Sequence, residues 1–87
     1  MNPTSLELLR HCVLRQLATA LPASLNIETL SLGLHSAGFD LSRELLHSEL
    51  IYLTQKGLIE ILQKPLNTSA RYRLSAAGRD YLQSEGL

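Results

Sequence analysis

The sequence has no tryptophan, one cysteine, one methionine and one phenylalanine, and its charges cancel: eight Lys plus Arg stand against eight Asp plus Glu in 87 residues. Each shortage excludes something. With Cys12 alone, no internal disulfide and no Cys-rich zinc site can form, and a buried thiol in a reducing compartment is expected. His11, His35 and His47 lie on three separate segments, and no pair has the i, i+4 spacing of ligands converging from one helix, so no metal site is expected. No apolar run approaches the roughly 18 residues of a membrane span, and the N-terminus lacks a basic segment followed by an apolar core. A cytoplasmic protein without a membrane partner is expected. There is no glycine-rich phosphate loop, no Ser-His-Asp arrangement and no carboxylate pair in an evident cleft, so neither an enzyme nor a cofactor is expected. The missing basic excess counts against tight non-specific nucleic-acid binding, which is driven by neutralising phosphates, but leaves room for a local basic patch.

What the chain does have is leucine, at helical spacing. Residues 1–87 read as one small domain without repeats or linkers, and a domain of this size gains from pairing with a second copy. Thr4 and Glu7 fit a capping box that opens a first helix, and Pro22 stops it. Leu6, Leu9, Val13, Leu17 and Ala20 repeat at three and four, widened by Leu14, Ala18 and Leu21, while Glu7, His11 and Arg15 mark a solvated side. Leu25 and Ile27 alternate with Asn26 as in a short strand beside the later hairpin; alternatively Asn26 caps a second helix. That helix spans about Glu28 to Ala37, with Leu30 and Leu34 inward and Gly33 weakening it. Ser36-Ala37-Gly38-Phe39-Asp40 reads as a turn, with Gly38 left-handed and Asp40 capping the next helix.

Residues 41–75 organise the rest. Leu46, Leu50 and Leu53 share one face of a third helix (about 41–56), which Gly57 ends. The run Leu58 to Leu62 is too short for a helix, Lys64 to Ser69 contains Pro65 and Asn67 and reads as a bend, and Arg71 to Leu74 alternates as a returning strand. Ser75 caps a last helix running to about Ser84, with Ala77, Tyr81 and Leu82 inward and small residues allowing a close approach to the first helix. The fold class is mainly α with a small antiparallel β-hairpin.

Helix, Gly57-Leu58-Ile59, strand, bend and strand, followed by Tyr72-Arg73-Leu74-Ser75-Ala76-Ala77-Gly78-Arg79, resembles the winged helix-turn-helix of bacterial and phage regulators. The likeness covers nearly the whole chain and implies a three-helix core, a wing (about 58–75) and a C-terminal helix. Gly78-Arg79-Asp80-Tyr81-Leu82 with Glu85-Gly86-Leu87 also resembles small winged-helix proteins of Mu-like transposable phages. The resemblance implies double-stranded DNA as partner, a homodimer, and the third helix in the major groove.

On that helix Ser42, Arg43, His47 and Ser48 face solvent; Arg43 suits a bidentate guanine contact, His47 and Ser48 reach bases or phosphate, and Tyr52 reaches the backbone, while Lys56 and Arg43 join the wing cations Lys64, Arg71 and Arg73 in the expected basic patch. Lys64, Arg71 and Arg73 are the wing's candidate phosphate contacts. Period two sets both arginines on one strand face opposite Tyr72 and Leu74, and Glu60 could pair with them across the hairpin. Glu44 and Glu49 on the third helix oppose phosphate. Leu32, Leu45, Ile51 and Leu66 exceed what a small core holds, which keeps open a second class, a protein-interaction module in a larger assembly.

Overall fold

The structure, a computed structural model, describes residues 2–62 and 70–85. The order is α1 (Pro3–Ala20), β1 (Leu25–Asn26), α2 (Ile27–Ser36), α3 (Arg43–Gln55), β2 (Ile59–Leu62), β3 (Arg71–Leu74) and α4 (Ala76–Ser84). The expected bend and its Lys64, Pro65, Leu66 and Asn67 lie outside the described residues.

The leucine stripes do what their spacing dictates. Leu9, Val13, Leu14 and Leu17 of α1, Leu30 and Leu34 of α2, and Leu46, Leu50 and Leu53 of α3 are all buried. Each buried leucine contributes roughly 1.5–3 kcal/mol. Ile59, Tyr72, Leu74 and Leu82 close the same core from the sheet and α4. α1 lies against α2, α4 and β3, and α3 packs on α2 and β2.

The sheet is antiparallel in the order β1-β3-β2, with Leu25 opposite Tyr72, and Ile61 opposite Tyr72 on the other side. Both expectations for Asn26 hold together. It pairs with Arg71 in the sheet, and its side chain accepts from the Thr29 amide as the cap of α2. β1 thus passes into α2 without a connecting residue.

Helix ends depart from expectation at two places. Asn2, not Thr4, caps α1, accepting from the Ser5 amide at 2.8 Å, with Pro3 in the first turn where its missing N–H costs nothing. Ser42, not Asp40, caps α3, accepting from the Leu45 amide at 3.1 Å, so α3 begins two residues later than expected. Ser75 caps α4 as expected, accepting from the Gly78 amide while donating to the Gly57 carbonyl. Gly38 and Gly57 take φ of 96° and 78°, ending α2 and α3 in the left-handed region.

Two faces are also revised. In α4 the inward residues are Gly78 and Leu82, while Ala77 and Tyr81 are exposed. The reason is steric: a Cβ at residue 78 would lie 2.1 Å from the Leu58 carbonyl oxygen, so only glycine lets α4 approach the start of the hairpin. His11, expected on a solvated face, is half-buried, and its Nε2 has no hydrogen-bond partner among the described residues.

Candidate nucleic-acid interface

The N-terminal half of α3 presents its polar side to solvent. Ser42, Arg43, Glu44, His47 and Ser48 are all exposed, because Leu46 and Leu50 turn the opposite side into the core. Arg43, Glu44, His47 and Ser48 line a cleft of about 680 Å³, whose other wall is Ile27 of α2 together with Ala70 and Tyr72 at β3. Ile51, one turn beyond His47, continues the same helical side and remains 42% exposed. The cleft combines a guanidinium, an imidazole and a hydroxyl on one helix with an apolar floor.

Arg43 is not idle there. Its Nη2 donates to Glu28 Oε1 at 2.8 Å, joining α3 to α2 on the surface. A hydrogen bond from its own backbone amide, and then the Arg43 guanidinium, hold the Glu28 carboxyl below its usual value. Both side chains are largely exposed, so the pair is easily exchanged for another anion.

Glu49 is removed from the argument against phosphate. Only 7% of it is exposed, and Oε1 accepts from Arg10 Nε of α1 at 2.5 Å. Its place was readable, since it follows Leu46 by three and precedes Leu53 by four, beside the apolar stripe. Arg10 was missed as a structural residue. It also stacks over the Tyr52 ring at 4.0 Å, with Lys56 Nζ at 5.6 Å from the same ring. Tyr52 and Lys56 line a separate cleft between α1, α3 and α4, with Leu8, His11 and Tyr81.

The wing arginines sit on the strand face opposite buried Tyr72 and Leu74, as alternation requires. Arg73 pairs with Glu60 of β2 at 3.0 Å, the cross-hairpin alternative. Arg71 reaches Ser24 instead, donating to its hydroxyl at 2.7 Å and its carbonyl at 2.6 Å. Ser24 carries no sequence signal for this role. Lys64 lies outside the described residues. The four described members of the expected patch, Arg43, Lys56, Arg71 and Arg73, are therefore divided among four local settings, each cation having its own neighbour.

No family model matches this chain, and no curated protein matches it. Among solved structures, the chain is similar to a PadR family transcription regulator from hypervirulent Clostridium difficile R20291, with a TM-score of 0.69 over 87% of this chain and 82% of that one. The fold is a winged helix. At 14% identity the likeness is one of backbone course rather than side chains. In the winged helix, α2, the turn at Gly38 and α3 form the helix-turn-helix, and β2 and β3 are the stem of the wing.

Proposed function

We propose that this winged helix binds duplex DNA as a small transcriptional regulator or phage accessory protein, with α3 in the major groove and the wing against phosphate. The observation that carries the reading is the cleft beside α3. Arg43, His47 and Ser48 project from its N-terminal half beside Glu44, while the other carboxylate of α3, Glu49, is withdrawn into a pair with Arg10. A helix entering the major groove uses its N-terminal residues on base edges, and arginine is the commonest guanine reader. The similar structure bears the name of a transcription regulator, which favours the same reading. A homodimer doubles the contacts and divides a site into two halves.

A second reading has its own observation. Leu32 and Ile51 stay 70% and 42% exposed, and Arg10, Arg43 and Arg73 are each paired with a glutamate. These features favour a protein-binding winged helix with little DNA affinity.

Titration of labelled random duplex at low and then higher salt separates the two. DNA binding predicts affinity that falls steeply with salt, and an Arg43→Ala variant that folds normally and binds roughly ten-fold more weakly. Absence of binding at low salt turns the assignment to the protein-interaction module. Arg71→Ala is a poor probe, because it also removes both bonds to Ser24.

A further inference from the structure

α1 carries an outward face that matches itself when turned around. Leu8 is 59% exposed on this face, an unusual placement for a leucine in a helix whose other leucines are covered. Beside it runs a hollow of about 470 Å³, lined by Leu8, His11, Arg15 and Thr19 of α1 and by Ala37 and Phe39 from the α2–α3 turn. The same face holds Glu7 and Arg15, four residues to either side of His11. Among the described residues neither forms an ion pair.

Knob, hollow and charges share one arrangement. In a twofold pair of antiparallel helices, residues equidistant from the crossing point meet: position i of one copy faces position j of the other, and j faces i. With the axis at His11, Glu7 of each copy meets Arg15 of the other, twice. Leu8 of each copy then falls beside His11 and Arg15 of the other, at the near end of the hollow. A parallel pair would instead set Glu7 against Glu7 and Arg15 against Arg15. We propose that the α1 face around Leu8, Glu7 and Arg15 is the interface of a homodimer in which two α1 helices pack antiparallel about a twofold axis near His11. The occupant is a second copy because the charges are complementary to their own inversion. This deepens the pairing stated under the proposed function and holds whether or not DNA is bound.

The test uses the whole chain without DNA. Sedimentation equilibrium of the wild type should show the one-chain mass moving toward the two-chain mass as concentration rises. Glu7→Arg and Arg15→Glu should each weaken association at least about ten-fold, since each sets like charges together twice. The double variant should restore it, and Leu8→Glu should abolish it. All three sites are exposed, and circular dichroism checks that each variant keeps its helices. A wild type that stays at one-chain mass throughout overturns the proposal. So does a dimer indifferent to the single changes, or a double variant that fails to recover. The DNA titration is scored separately, so loss of one conclusion leaves the other readable.

Discussion

At the scale of single residues, the structure turns on how each arginine is held. Arg43 is held by Glu28, and under the proposed DNA reading Glu28 competes with phosphate or base for it. Glu28→Gln should therefore raise DNA affinity where Arg43→Ala lowers it, both read by anisotropy at fixed salt. Equal affinities for wild type and Glu28→Gln would show that Arg43 takes no part. Arg10 and Glu49 behave differently, because Glu49 is buried. Glu49→Ala leaves a guanidinium without its carboxylate at the α1–α3 contact and should cost about 2 kcal/mol, seen as a lower urea midpoint. The exposed side of α3 was legible from Leu46, Leu50 and Leu53, since three inward positions fix the rest of a helix. The partners of Arg10 and Arg71 were not, because Glu49 and Ser24 lie 39 and 47 residues away in the chain and no local pattern couples them.

Among the elements, α4 depends most on single atoms. Gly78 allows α4 to close on the Leu58 carbonyl, and Ser75 ties the helix start to Gly57. Gly78→Ala must push α4 outward and should cost about 1–3 kcal/mol, while Ser75→Ala loses the cap and should cost about 1 kcal/mol, both by thermal denaturation. A Gly78→Ala variant as stable as wild type would contradict this packing. Here the sequence was only half legible. The cap residue is a strong local signal, and Ser75 was placed correctly. The inward face shifted by one position because glycine buries backbone rather than a side chain, and apolar counting cannot see that. The same reasoning explains α1 and α3, where a serine or asparagine nearer the true start outcompeted Thr4 and Asp40. The hairpin and its antiparallel return were legible from alternation in Arg71 to Leu74, with Tyr72 and Leu74 buried as the pattern requires.

For the whole molecule, stability should depend on alkaline pH. Burial pushes the Tyr72 hydroxyl above its ordinary value of 10.0, and burial acts on Tyr81 in the same direction. The folded state then holds these protons more firmly than the unfolded chain. That contribution is complete below about pH 10 and drains away as pH rises through the folded values. The melting temperature should fall above about pH 10, and Tyr72→Phe should make the fall shallower; an unchanged slope would remove Tyr72 as its source. The middle strand of the sheet is the last to be made. β1 is complete by Asn26, and β2 by Leu62, yet each hydrogen-bonds only to β3, which begins at Arg71. On the ribosome, β1 and β2 must wait with open edges until Arg71 to Leu74 emerge, and closure joins Leu25 to Tyr72 across more than half the chain. A nascent chain halted with residues 1–70 outside the ribosome should be able to form α1 and α3 but be sensitive to protease at both waiting strands.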